Sequence, residues 1–270
     1  MREFFGYGGY QRVPEGYLSW QHLLFVTSLM IIMTALAIFF ARRQKDKDDK
    51  AKNKVLIVAA ILIDSFELFK IVYFCINAHD PMRWILELPL FLCSIQLIAI
   101  PIAAFSKGRL KAAALDFVLI FGILGAIFGT YFAGQNYGCY PVLSFDNVVS
   151  GITHSISGFS SLYIGLSGLA SMKRKNMPIT FGILGGFCIA AYVANVLIDY
   201  NYMFLMRGDG TPYDIFYNLV NGNKVLYPLI VVLLFLIYIT LFYLVYFGIK
   251  SRVEATKAVE PEKEKEKQHL

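Results

Sequence analysis

Cys93 and His154 are the two side chains with the clearest capacity for covalent chemistry in this sequence. A thiol in apolar surroundings is mostly un-ionised and weakly nucleophilic, because burial raises its pKa from ~8.5. An adjacent imidazole can take the proton and stabilise the thiolate as an ion pair. Such a thiolate can attack an ester carbonyl and hold the acyl group as a thioester. An acceptor hydroxyl, deprotonated by the same His, then collects the acyl chain. Side-chain amides can donate to the developing oxyanion, and Gln96, Asn147 and Asn195 are the candidates. Glu67, Glu87 and Asp199 are acids that could orient or tune such a site.

The elements that must position these residues are membrane helices. Of the 270 residues, 57% are hydrophobic and 16% charged, with a mean hydropathy of +0.57. A soluble domain has about 45–50% apolar and about 25% charged residues, so a soluble enzyme is excluded first. A spanning helix needs roughly 20 mainly apolar residues. Seven stretches qualify, at 19–41, 54–77, 84–105, 110–133, 146–171, 178–199 and 225–248. The expected fold is therefore all-α, a polytopic seven-transmembrane-helix bundle. An aromatic and Gly-rich segment (1–18) precedes the bundle (19–250), and a charged tail (251–270), expected to be solvated and disordered, follows it. The first 18 residues lack the basic-then-apolar order of a cleaved signal peptide.

Charge distribution orients the bundle. Of the 25 Lys and Arg residues, 19 fall in the first, third and fifth connections and the tail. Five lie on the opposite side, and Lys70 sits inside a span. The positive-inside rule puts the N-terminus outside and the C-terminus in the cytoplasm of a multi-pass cell-membrane protein. The basic residues are scattered over short loops, which disfavours nucleic-acid binding.

Depth follows from the 1.5 Å helical rise. Cys93 is expected roughly 14 Å below the outer face, His154 roughly 12 Å, Glu67 roughly 15 Å and Asn195 roughly 6 Å. The polar groups thus gather in the outer half, around a cavity that opens outward. Gln96 follows Cys93 by three residues, and Asn195 and Asp199 are four apart, so each pair shares a helix face. Glycines at helical spacing, Gly125/Gly129, Gly182/Gly186 and Gly151/Gly158/Gly165, suit close helix approach in lipid. His154 lies on the last of these stripes.

Blander roles compete with each of these. A Cys in an apolar helix is usually a small buried hydrophobe, which suffices for Cys75, Cys139 and Cys188. The Asp64/Glu67/Lys70 group reads first as a structural ion network. A lone His154 would more often be an interhelical hydrogen-bonder than a catalyst; Cys93 at matching depth raises its standing. The spacings C-x-x-C and H-E-x-x-H, a P-loop and a G-x-S-x-G elbow are all absent, so no metal and no nucleotide cofactor is implied.

Three runs carry a resemblance: Glu87 to Cys93 (ELPLFLC), His154 within THSISGFSSLYIG, and Asn195 to Leu205 (NVLIDYNYMFL). With the seven spans, they resemble the YwaF-type integral membrane family. That family is distantly related to an animal transmembrane acyltransferase that remodels ether phospholipids. The resemblance covers roughly 19–250. It implies an acyltransferase with Cys93 as nucleophile and His154 as its partner. Its partners are membrane lipids, an acyl-donor phospholipid and a lysolipid acceptor. The family's run commonly has a His before the Leu-Cys, where this chain has Phe91. A transporter or ligand-binding membrane protein is the alternative, with Asp64, Glu67, Lys70, Glu87 and Asp199 lining a path for an ion or small polar solute.

Overall fold

The structure is a computed structural model that describes residues 2–170 and 172–268, with side chains described from 3 to 252 except at 171. The described chain is helical throughout, without strands. It divides into two units, Met1–Met203 and Phe204–Leu270.

The first unit contains α1 (Arg2–Phe5), α2 (Trp20–Gln44), α3 (Asp49–Asn77), α4 (Gln96–Phe105), α5 (Gly108–Tyr131), α6 (Gly134–Cys139), α7 (Phe145–Ser167) and α8 (Met177–Ile198). Local chemistry sets several starts. Ser19 accepts a hydrogen bond from the His22 N–H at the head of α2, Asp48 from Ala51 at α3, and Ser144 from Asn147 at α7. Helix α5 is the centre of the unit and packs on α7, α4 and α8, while α7 also packs on α2 and α3. Small residues make the α5–α7 approach close: a methyl on Gly122 would strike the Ser157 carbonyl oxygen. His22 is fully buried and ties α2 to α5. Its Nε2 faces the Thr130 carbonyl at 3.1 Å, and its Nδ1 accepts from the Leu18 N–H at 3.2 Å.

Four helical stretches are long and apolar enough to cross a membrane: Trp20–Gln44, Gly108–Cys139, Arg174–Ile198 and Leu226–Arg252. The chain is thus a multi-pass membrane protein. Helices α3 and α7 have spanning length but are interrupted by Asp64, Glu67 and Lys70 in α3 and by the Ser, Thr and Gly residues of α7.

The expected span 84–105 is not one helix. Its first part is a 3-10 helix at Arg83–Glu87, residues 88–95 are irregular, and only Gln96–Phe105 is α-helical. Leu88 is extended, with φ −59° and ψ 144°, as a residue before proline tends to be, and Pro89 follows it. Irregular backbone at membrane depth persists only where protein or a water-filled cavity surrounds it. Asp199, expected inside span six, instead follows the last turn of α8 in the left-handed region, with φ 50°. Asp tolerates that conformation better than most residues. The pair Gly182/Gly186 was expected at a helix contact, yet a methyl there would meet nothing.

The N-terminal segment is tied to α7 and its leading loop. Phe5 packs on Tyr73 and Phe145, Tyr10 donates to Asp146 at 2.7 Å, and the Glu15 carboxylate accepts from the Val142 N–H at 2.8 Å. Burial pushes the Glu15 carboxyl up, but the Val142 N–H and the Arg12 guanidinium outweigh it and hold it below its ordinary value. A depressed carboxyl stabilises the folded state above its unfolded pKa, and that contribution is lost as pH falls through the folded value. The segment is therefore expected to become protease-sensitive under acid. In Glu15→Gln the same sensitivity appears already at neutral pH. Limited proteolysis across a pH series checks both.

The second unit holds α9 (Asp214–Leu219) and α10 (Leu226–Gln268). Phe204 stacks on Tyr213, which meets Phe235 edge-on. The helical backbone of α10 continues past Val253, where composition suggested a disordered end. The tail is rich in Ala, Glu and Lys, which are good helix formers.

Candidate functional site

Cys93 lies in the irregular stretch just before α4. Two successive i→i+3 backbone bonds, Gln96 N–H to the Cys93 carbonyl (3.3 Å) and Leu97 N–H to the Ser94 carbonyl (3.0 Å), tighten this entry. The Ser94 hydroxyl donates to the Phe91 carbonyl at 3.1 Å and accepts from the Phe91 N–H at 3.0 Å, which closes the turn. The sulfur therefore sits just ahead of the N-terminal end of a helix, near the backbone N–H groups of Cys93 and Ser94. Such an end favours an anion.

His154 comes from the middle of α7. Its Nδ1 faces the Ser150 carbonyl oxygen at 2.7 Å, one helical turn back. A carbonyl only accepts, so this contact places the proton on Nδ1 and leaves Nε2 as a base. The ring lies close enough to the Cys93 thiol for the two to interact. The two residues come from separate elements and stand one helical turn apart along α5, Cys93 against Gly125 and His154 against Gly129.

Helix α5 supplies the space. Gly125 stands against Cys93, where a methyl would lie 3.3 Å from the Cys93 Cβ. One turn on, a methyl at Gly129 would overlap the His154 ring at Nε2 and Cδ2. The Gly125/Gly129 pair reads in sequence as a helix-packing device; here it is also the cradle for the thiol and the imidazole. The signal that could have revealed this is a small-residue pair at the depth of both reactive groups.

The other expected residues separate into distinct roles. Gln96 is fully buried and neither end of its amide has a hydrogen-bond partner. Buried amides are almost always satisfied, so an orphan three residues from the thiol is a notable exception. Asn195 is committed elsewhere. Its amide donates to the Tyr202 carbonyl at 2.9 Å and accepts from the Tyr202 N–H at 2.6 Å. Tyr202 in turn donates to the Ile85 carbonyl at 2.5 Å and packs its ring against Phe91. Asn195 therefore braces the loop that supports the irregular strand of chain leading to Cys93. Asn147 donates to the carbonyls of Tyr140 and Pro141 at 3.3 and 3.0 Å, holding the turn before α7. Asp199 is exposed and caps α8.

Glu67 and Glu87 form an ion network with Lys70 between them, at 2.7 and 3.3 Å, and Arg83 stands 3.9 Å from Glu87. Lys70 is close enough for its charge to reach His154. Asp64 is exposed and outside this network. Phe91, at the position where a His was expected by resemblance, packs edge-on against Tyr200 and Tyr202. All four cysteines are free thiols, so Cys75 and Cys139 do not form a disulfide. Among the described residues, no group of three or more His, Cys, Asp or Glu side chains could hold a metal ion.

The bracing role of Asn195 has a measurable consequence. Asn195→Ala leaves the Tyr202 N–H and carbonyl unpaired in a buried place. Each orphan costs about 1–3 kcal/mol, so a clear drop in thermal midpoint in detergent is expected. If Asn195→Ala melts like the parent, the brace is not structural.

A family model described as the TMEM164 family matches residues 17–250. No curated protein and no solved structure matches the chain. The family match covers most of the sequence, and it includes Cys93, His154 and every element that positions them.

Proposed function

We propose that this chain, which belongs to the TMEM164 family of transmembrane proteins, is a seven-span cell-membrane acyltransferase with its N-terminus outside and its C-terminus in the cytoplasm. It moves a fatty acyl chain between a phospholipid and a lysophospholipid through a thioester on Cys93. The seven spans are the four long apolar helices together with α3, α7 and the broken third segment. Those three would be tolerated in lipid because Glu67, Lys70, Glu87 and the buried Ser and Thr residues of α7 turn to the bundle interior, with Asp64 the exception.

The observation that carries the proposal is the neighbouring of Cys93 and His154 against Gly125 and Gly129 of α5, with the imidazole Nδ1 held on the Ser150 carbonyl. In the first half-reaction His154 Nε2 takes the thiol proton, and the thiolate attacks the ester carbonyl of the donor. A C–S bond forms, the ester C–O bond breaks, and the proton passes from His154 to the departing lysolipid oxygen. In the second half the acceptor hydroxyl gives its proton to His154 and attacks the thioester. A C–O bond forms, the C–S bond breaks, and the thiolate recovers the proton. The oxyanion of each tetrahedral intermediate would sit at the N-terminal end of α4, facing the backbone N–H groups near Cys93, with the Gln96 amide as a further donor. Acyl chains would reach the thiol sideways from lipid.

The transporter alternative asks for intramembrane charges that are free to handle a solute. Glu67, Lys70 and Glu87 are instead engaged with one another, which supports a structural network. The test is purified protein in vesicles with a labelled phospholipid and an unlabelled lysophospholipid of another headgroup. Label is expected to appear on the second headgroup with wild type and not with His154→Ala. Equal transfer by both proteins would refute the scheme.

A further inference from the structure

A cavity lies in the first unit between the starts of α5 and α8 and the chain that follows α7. Its volume is about 330 Å³, and its lining includes Arg109, Asp116, Lys173, Lys175 and Asn176. That volume suits a lipid headgroup or a metabolite of similar size.

The floor of this cavity is built from buried polar groups. Asp116 and Asn176 are each 1% exposed, and the Asn176 amide nitrogen donates to the Asp116 carboxylate at 3.3 Å. The Asn176 Oδ1 has no hydrogen-bond partner. An orphaned buried acceptor costs free energy unless a donor completes it. The rim is basic. Arg109, Lys173 and Lys175 are exposed, and Arg109 donates to the Lys175 carbonyl at 3.0 Å, which fixes the two sides of the rim together. Three cations against one carboxylate leave the cavity electropositive.

These features specify a ligand with two parts. The rim asks for an anion, and the floor asks for a neutral hydrogen-bond donor that reaches Asn176 Oδ1 and the Asp116 carboxylate. A zwitterionic headgroup would leave the positive excess uncompensated. A phosphate with hydroxyls two or three bonds beyond it satisfies both ends. We propose that this cavity is a binding site for a glycerophosphate group, with the phosphate on Arg109, Lys173 and Lys175 and the hydroxyls on Asn176 and Asp116. The site is independent of Cys93 and of any acyl transfer. Basic pockets between membrane helices are a recurring place for anionic headgroups.

The test uses the full chain in detergent, read by native mass spectrometry, with three probes. Phosphatidylglycerol carries the phosphate and two hydroxyls; phosphatidylmethanol carries the same charge and none; free glycerol 3-phosphate carries the group without acyl chains. The expected result is about tenfold tighter binding of phosphatidylglycerol than of phosphatidylmethanol, the size of one good hydrogen bond to a buried polar group. Asn176→Ala should erase that preference. Lys173→Gln/Lys175→Gln, at two exposed positions whose side chains hold no other part of the fold, should weaken binding of both lipids. Retention by free glycerol 3-phosphate alone, with both lipids inert, would assign the site to a soluble ligand of the same chemistry. Equal binding of the two lipids by wild type, or unchanged binding by the rim variant, overturns the proposal.

Discussion

Cys93→Ala is expected to lower acyl transfer by at least about three orders of magnitude while leaving the thermal midpoint within a few degrees of the parent. The magnitude follows from the role: the thiol carries the covalent intermediate, and removing a nucleophile that acts with its base removes nearly all their joint effect. The mild cost to folding follows from size, since Cys to Ala deletes one atom at a half-buried position. Cys93→Ser separates nucleophile from shape. A hydroxyl fills the same place but is far less acidic than a thiol, so transfer should again be lost or nearly so. Normal turnover by Cys93→Ala, measured on purified protein in vesicles, would place the chemistry elsewhere.

Gly129→Ala carries the second large effect, although Gly129 has no side chain to react. Its added methyl would overlap the His154 ring, which has to rotate or shift to make room. Either movement breaks the alignment set by the Ser150 carbonyl at 2.7 Å. A displacement on the order of 1 Å in a catalytic group costs about 10²-fold. Stability should fall by only about 1–3 kcal/mol, the usual range for overpacking. Two neighbouring substitutions grade the effect. Gly125→Ala brings a methyl to 3.3 Å from the Cys93 Cβ, a tight contact that a small shift relieves, so a lesser loss is expected. At Gly186, in α8, a methyl meets nothing, and Ala there should leave activity unchanged. If Gly129→Ala turns over like Gly186→Ala, the cradle has no part in positioning His154.

Residue type and depth single out Cys93 and His154 from sequence alone, because a polar or reactive group in an apolar segment is costly and therefore conspicuous. Helix α7, which carries His154, is legible from its length, and the apolar α5 beside it from its hydropathy, whereas Cys93 lies outside any helix. Contact between them is not legible, since periodicity gives the face of each helix but not the order of helices around a bundle. Chain geometry near Cys93 is obscured by hydropathy. Leu88, Leu90, Phe91 and Leu92 are as apolar as any helix, and only Pro89 hints that the segment is irregular. The amides show the limit of residue chemistry as a guide. Gln96, Asn147 and Asn195 offer the same donors on paper, yet Asn195 and Asn147 spend theirs on backbone carbonyls, and only Gln96 keeps both ends unpartnered. Sequence position does not encode which amide finds a local partner. Asp199 fails for a related reason: its supposed helical neighbour relation to Asn195 disappears when the chain turns left-handed at that residue.

The most direct test of a thioester on Cys93 is intact-protein mass spectrometry of wild type, Cys93→Ala and His154→Ala after brief exposure to a donor phospholipid without acceptor. The account predicts one added acyl mass on wild type, removable by neutral hydroxylamine, and none on either variant. An acyl adduct that persists on Cys93→Ala, or no adduct on wild type under conditions where acyl transfer proceeds, would contradict it.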